Sequence, residues 1–121
     1  MASKDSTWQK RTVKPWLLLA FVVACDRGGA SSGTNGAELY QSLCATCHGP
    51  NGKPTEAMVA RLAVKDLTSQ ELRSRITPAL VEAQVRTGSK NKLMPSFTGA
   101  LTDEQITAVA AYVASAEFLA K

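Results

Sequence analysis

The chain has 121 residues, with 14 lysines and arginines against 10 aspartates and glutamates, so its formal charge is +4. This length fits one small domain and excludes a multidomain enzyme. Hydrophobic residues make up 45% and charged residues 20%, which is the balance of a globular protein and excludes a largely disordered one. The single histidine excludes any site that needs two imidazoles from one chain.

The first 24 residues have the pattern of an export signal. Four basic residues and one acidic residue precede an unbroken apolar run, WLLLAFVVA, at residues 16–24. Nine residues of helix are about 14 Å long, well short of the roughly 30 Å hydrocarbon core of a membrane. The pattern therefore predicts a secretory signal peptide over 1–24 and not a transmembrane helix.

Most of the positive charge of the chain lies in that signal segment. After residues 1–24, the chain keeps 10 basic and 9 acidic residues, which is a formal charge of +1. The excess of positive charge that would suggest a nucleic-acid partner is thus mainly a property of the signal. We expect no nucleic-acid partner.

The apolar run ends in a sequence that predicts a lipid anchor at Cys25. Val-Val-Ala-Cys resembles the bacterial lipobox, in which a peptidase cleaves before a cysteine that then carries lipid. The alternative is an ordinary signal peptide that is cleaved nearby. The sequence that follows, DRGGASSGTN, is rich in glycine and serine, so 25–35 is predicted to form the anchor and a flexible linker.

The rest of the chain, 36–121, has the periodicity of helices and no alternating pattern of strands, which predicts one all-α domain. Thr68 and Thr102 each open a capping box, and Thr77 precedes a proline at the first helical position. Residues 55–67 are ambiguous. The predicted helices are 36–47, 68–76, 77–88 and 102–119, with a loop over 89–101.

Two of these helices carry an apolar face of the kind that packs against a core. In the last helix this face includes Ile106, Val109, Ala110, Tyr112 and Val113. In the helix 77–88 a mainly apolar stripe is formed by Leu80, Val81, Gln84 and Val85.

Cys44, Cys47 and His48 form the motif that carries chemistry in this chain. The segment CATCH matches Cys-x-x-Cys-His, the pattern of c-type haem attachment. Two cysteines three residues apart on a helical turn can each reach one vinyl group of the same haem and form a thioether. The adjacent histidine then points under the ring and binds the iron. The sequence therefore predicts one covalent haem c with His48 as an axial ligand of the iron.

Three other interpretations of the cysteine pair remain open. A thioredoxin-like dithiol needs a preceding strand and a βαβ setting, which the sequence does not predict. A structural zinc site needs four ligands, and two cysteines and one histidine are available once Cys25 is used by the lipid. A disulfide between Cys44 and Cys47 is compatible with export but leaves His48 without a role.

A second axial ligand of the iron has to be sought among the methionines, because the chain has no second histidine. Met94 precedes Pro95, and a proline keeps the residue before it extended. Such a rigid, non-helical segment can hold a thioether at the iron. Met58 lies in a stretch that could be helical, where a methionine usually fills a core. We expect Met94 to be the ligand; the alternative is an open or water-bound iron.

From about Gly36 to its end, the chain resembles a small class I cytochrome c, a single-haem electron carrier. The haem motif is the most specific part of the resemblance, and Met-Pro-x-Phe supports it. Gly36 and Tyr40, with Val109 and Tyr112, match the residues at which the N-terminal and C-terminal helices cross in that family. The resemblance implies an all-α cytochrome c fold in which these two helices cross and the chain wraps around the haem.

In the same family a proline carbonyl often accepts the Nδ1 proton of the haem-binding histidine. Pro50 and Pro54 are both candidates for this acceptor in the present chain, and neither is in a recognisable context. We expect His48 to have some acceptor at Nδ1, because ligand histidines are oriented in this way. The sequence leaves that acceptor unassigned.

The resemblance implies a one-electron carrier with redox proteins as partners and no small-molecule substrate. The predicted signal and lipid anchor would tether it on the periplasmic side of the cell membrane. Lys53, Lys90 and Lys92 lie in loops near the two ligand segments and are candidates for a docking ring for acidic partners. Two alternatives remain. One is a haem-containing subunit of a larger oxidoreductase complex, and the other is a haem enzyme or gas sensor with an open iron.

Overall fold

The computed structural model describes residues 33–121. The predicted signal peptide 1–24, the predicted anchor Cys25 and most of the linker lie outside the described residues. Within residues 33–121, no helix is both long and apolar enough to span a membrane.

The described residues form helices and loops around a small core, and they contain no strand beyond one isolated bridge between Thr98 and Leu101. Helix α1 is continuous but has three parts, because its middle turn has π geometry. This architecture confirms the all-α prediction. The parts of α1 are Gly36–Leu39, Tyr40–Cys44 and Ala45–His48, and the later elements are α2 (Glu56–Leu62), α3 (Gln70–Arg73), α4 (Pro78–Thr87), α5 (Asp103–Ala114) and a 3₁₀ turn (Glu117–Leu119).

Hydroxyl side chains begin the helices close to where the sequence predicts. The Thr77 side chain accepts a hydrogen bond at the start of α4, and Thr102 forms a complete capping box at the start of α5. The capping box predicted at Thr68 is wrong by one residue, since Ser69 caps α3 instead. The reason is that both the N–H and the hydroxyl of Thr68 donate to Oδ1 of Asp66, at 2.8 and 2.6 Å.

The last helix ends at Ala114, earlier than the predicted end near Leu119. The next residue, Ser115, has extended backbone angles, and the chain turns into the 3₁₀ turn. The guanidinium of Arg73 donates to the carbonyl groups of Val113, Ala114 and Ser115, at 2.7, 3.3 and 2.8 Å. These carbonyl groups would otherwise lack partners at a helix end. The contact fixes α3 to the end of α5, and sequence analysis missed it.

Helices α1 and α5 cross at Gly36. A Cβ atom at this position would lie 2.2 Å from the carbonyl oxygen of Ala108 and 2.8 Å from Cβ of Tyr112, so the two backbones approach this closely only because the residue is glycine. Tyr40 is fully buried and Val109 nearly so in the same cluster. The residues that the resemblance placed at the crossing therefore meet there, and the expected crossing is confirmed.

Three aromatic rings form the centre of the core. The rings of Tyr40, Tyr112 and Phe118 lie with their centroids 5.0 to 6.1 Å apart, and two of the three pairs are edge-to-face. The hydroxyl of Tyr40 donates to the carbonyl oxygen of Gly49 at 2.7 Å, and burial raises the pKa of Tyr40 above its ordinary value. This hydrogen bond ties the residue after His48 to the core.

Candidate functional site

A cavity of about 870 Å³ lies beside this core, and all five helices contribute to its walls. Its volume is within the range of pockets that bind cofactors. Cys44, Cys47, His48 and Met94 all line it, so the fold brings together the site residues predicted from two distant parts of the sequence.

The two cysteines follow the π-helical turn of α1. In that turn the N–H of Ala45 bonds to the carbonyl of Tyr40, five residues back, instead of four. The extra residue changes the face of α1 that the following side chains occupy, and Cys44, Cys47 and His48 line the cavity. The helical periodicity of the sequence gave no sign of this turn.

The surroundings of the two cysteines do not favour a reactive dithiol. No disulfide joins Cys44 to Cys47. Burial, followed by the nearby Cys47, raises the pKa of Cys44 to about 11, whereas a reactive dithiol has a lowered pKa. Among residues 33–121, no group of three or more histidine, cysteine or acidic side chains could hold a metal ion.

The ring of His48 is oriented by the backbone of the loop after α2. Its Nδ1 lies 3.1 Å from the carbonyl oxygen of Lys65. Because a carbonyl only accepts, Nδ1 donates, and the lone pair of the neutral ring is then on Nε2. Burial lowers the pKa of His48, against an opposing effect of the Lys65 hydrogen bond, so the ring suits a neutral ligand of a metal.

The acceptor for His48 is thus neither of the two prolines that sequence analysis offered. The carbonyl of Pro50 accepts a hydrogen bond from Nε2 of Gln41, at 2.8 Å. Lys65 comes close to His48 only because the chain folds back after α2, and it acts through its backbone oxygen, which any residue type carries. No sequence signal could have identified it.

The loop after α4 is fixed to the last turn of that helix. The N–H of Phe97 donates to the carbonyl of Val85 at 2.9 Å, and the hydroxyls of Ser96 and Thr98 both donate to the carbonyl of Arg86. Carbonyl groups in the last turn of a helix lack partners within the helix, so they are natural acceptors for a loop that returns to them. The loop that holds the predicted methionine ligand is therefore anchored on its C-terminal side.

The two candidate methionines have different positions. Met94 lies in this loop, is partly buried and lines the cavity. Met58 lies in helix α2 and is not among the residues that line it. The cavity therefore has one methionine thioether available in its lining, on a segment other than that of His48.

The walls of the cavity are mainly apolar. The predicted stripe of α4 lines the cavity: Val85 is buried and Val81 packs against the core, but Leu80 is 44% exposed. Leu93 in the following loop also lines the cavity and is 51% exposed. Apolar side chains with this much exposed surface imply that a large apolar group covers them. A haem, with its apolar ring, fits these walls and the four predicted ligand and attachment residues.

The charged residues around the cavity have mixed signs. Of the three lysines that sequence analysis proposed for a docking ring, Lys90 lines the cavity, and Lys53 and Lys92 do not. The lining of the cavity therefore carries charges of both signs. The charged residues of the lining are Lys65, Asp66, Glu71, Arg75 and Lys90.

Comparison with protein families gives one clear match. A family model described as "Cytochrome C oxidase, cbb3-type, subunit III" matches residues 31–113. The matched range contains the haem motif, the Met94 loop and most of α5. It therefore covers the elements that build the cavity and the helix crossing.

Individual proteins agree with the family match. The chain is 33% identical to cytochrome c-553 of Desulfomicrobium norvegicum over 82 residues, which are 68% of this chain and 96% of that protein. It is 35% identical over 89 residues to the fructose dehydrogenase cytochrome subunit of Gluconobacter japonicus, but it spans only 18% of that subunit. Among solved structures, the KustC0563 c-type cytochrome superposes with a TM-score of 0.59 at 28% identity, covering 66% of this chain and 94% of that one.

Proposed function

Since the chain belongs to the cytochrome c family, in the group of the cbb3-type oxidase subunit III, we propose that it is a membrane-tethered electron carrier with iron held by His48 and Met94. It is an electron-transfer protein and carries covalent haem c, as the family does. The haem supplies a one-electron couple between ferric and ferrous iron. Three statements are proposals: which residues hold the haem, which residue is the second ligand of the iron, and that the chain is tethered to a membrane.

We assign the two thioethers to Cys44 and Cys47. The two cysteines form no disulfide with each other, lie three residues apart in α1 and line the same cavity. In each thioether Sγ would bond to one vinyl carbon of the haem and the thiol hydrogen would go to the other, so the addition would need no external oxidant. Covalent attachment keeps the haem in place through repeated oxidation and reduction.

The observation that carries the proposed carrier function is that His48 and Met94 line one apolar cavity from different segments. His48 has its lone pair on Nε2 because Lys65 accepts the Nδ1 proton. Met94 offers a weakly donating thioether, which would favour ferrous iron and raise the reduction potential. With both residues bound to it, the iron would supply one-electron exchange with partner proteins and would have no position left for a substrate.

We expect the haem-loaded protein to be oxidised and reduced reversibly by one electron, and its reduced form to bind no carbon monoxide promptly. Carbon monoxide needs an open axial position on ferrous iron, and Met94 fills that position in this proposal. A redox titration followed by visible spectroscopy, with carbon monoxide then added to the reduced native protein, measures both properties. Prompt binding would contradict the carrier proposal and support a haem enzyme or gas sensor.

A second candidate is a permanent subunit of a larger oxidoreductase complex. The matched family is described as an oxidase subunit, and the Gluconobacter japonicus relative is a dehydrogenase subunit. This candidate uses the same haem chemistry and differs in whether the redox partner stays attached. The native mass of the protein after mild detergent extraction separates the two: the mass of the single chain supports a carrier, and a larger complex supports a subunit.

We expect the Cys25→Ser variant to move from the membrane to the soluble periplasmic fraction, because serine cannot form the thioether that carries the lipid. The driving force for anchoring is burial of the lipid chains, about 0.8 kcal/mol for each CH₂ group. Fractionation with detection of the covalent haem measures the distribution. Mass spectrometry of the variant checks that its signal has been cleaved. Membrane association that persists after cleavage would contradict the anchor at Cys25.

A further inference from the structure

Ser89 is joined to Met94 by a reciprocal pair of hydrogen bonds. The N–H of Met94 donates to Oγ of Ser89 at 3.0 Å, and the N–H of Ser89 donates to the carbonyl oxygen of Met94 at 3.0 Å. Both backbone polar groups of the proposed ligand are therefore bound to one residue. The pair closes the N-terminal side of the loop, opposite the contacts that Phe97 makes with α4.

The hydroxyl of Ser89 is itself fixed in orientation. It donates to Oδ1 of Asn91 at 2.5 Å, and the same oxygen accepts the N–H of Leu93 at 3.1 Å. The Oγ lone pair is thus left to receive the N–H of Met94. Gly88 allows the close approach, since a Cβ there would lie 2.5 Å from the Met94 carbonyl oxygen at a φ of +72°.

We infer that Ser89 is a positioning residue for the iron, whose hydroxyl holds the backbone of Met94 so that the thioether stays in reach of the metal. The inference rests on the proposed ligation by Met94. Without the hydroxyl, the Met94 N–H loses its acceptor and the loop gains conformations in which the thioether is away from the iron. One hydrogen bond of ordinary strength corresponds to about a tenfold change in that equilibrium.

Imidazole is the probe, because it binds ferric haem iron only when the thioether has left. We expect the haem-loaded Ser89→Ala protein to bind imidazole about tenfold more tightly than the native protein, measured by visible spectroscopy at neutral pH. Ser89→Thr keeps a hydroxyl and should restore native affinity. Asn91→Ala, which frees the Ser89 hydroxyl, should also tighten binding. If the Ser89→Ala protein loads haem poorly, the Asn91→Ala protein provides a second test.

Ser74→Ala is the matched control. Like Ser89→Ala, it removes one serine hydroxyl. The Ser74 hydroxyl donates to the backbone carbonyl of Glu71 at 2.8 Å, and Ser74 does not line the cavity. We expect this variant to bind imidazole as the native protein does. Native affinity in Ser89→Ala and Asn91→Ala as well would overturn the inference.

The Met94→Ala background separates this inference from the proposed ligation. If Met94→Ala alone leaves imidazole binding unchanged, the ligation itself is wrong. If Met94→Ala tightens binding and Ser89→Ala adds nothing in that background, Ser89 acts through the thioether, as inferred. If Ser89→Ala tightens binding equally in both backgrounds, it merely loosens the cavity and the positioning role is refuted.

Discussion

Replacing Cys44 and Cys47 together by serine is expected to remove all covalently bound haem. Serine is close to cysteine in size, but its hydroxyl does not add to a vinyl group of the haem. A denaturing gel stained for haem measures the result, because only haem bound through thioethers stays with the unfolded chain. Cys25→Ser is the matched control, since it removes the third cysteine and should leave the haem stain unchanged.

The same double variant should also lose much of its helical structure. The cavity of about 870 Å³ has mainly apolar walls, including partly exposed leucines, and without haem these walls would be open to water. A domain of this size buries a modest fraction of its chain surface, so the loss of a large apolar group is costly. Far-UV circular dichroism measures the helix content. A haem-positive gel would refute the thioether assignment.

Replacing Met94 by alanine is expected to lower the reduction potential and to open the iron to external ligands. The thioether stabilises ferrous iron, so its loss should lower the potential by about 59 mV or more, which is a tenfold change in relative stabilisation. The reduced variant should also bind carbon monoxide promptly. Potentiometric titration and the visible spectrum with carbon monoxide measure these two effects.

Met58→Ala is the control for that experiment. It makes the same chemical change in helix α2, and Met58 does not line the cavity. Its potential and its response to carbon monoxide should be those of the native protein. An unchanged spectrum in Met94→Ala, or an opened iron in Met58→Ala, would contradict the assignment of Met94 as the ligand.

The features that the sequence predicted well are those with a local physical cause. Thr77 and Thr102 begin helices because each hydroxyl satisfies the backbone N–H three residues ahead. Gly88 ends α4 with a positive φ that favours glycine. The cysteine pair and His48 lie within one turn of helix, so their spacing alone predicted a shared haem.

The predictions that failed depended on contacts between distant residues. The sequence predicted that the last helix continues to about Leu119. In the fold, Arg73 of α3 donates to the carbonyl groups at the end of α5, and the helix ends at Ala114. The sequence also left the acceptor of His48 unassigned between Pro50, Pro54 and other groups, and in the fold the acceptor is the backbone of Lys65. Backbone acceptors carry no residue-type signal, so such partners become visible only in the fold.

The sequence by itself determined the helical class of the domain, the cysteine pair with its histidine, and the glycine at which the two main helices cross. It did so because caps, motif spacing and the lack of a Cβ act over a few residues. The tertiary structure decided which side chains share the cavity, how the His48 ring is oriented and how Ser89 holds the Met94 backbone. Those arrangements depend on the path of the loops, which is set by packing across the whole domain.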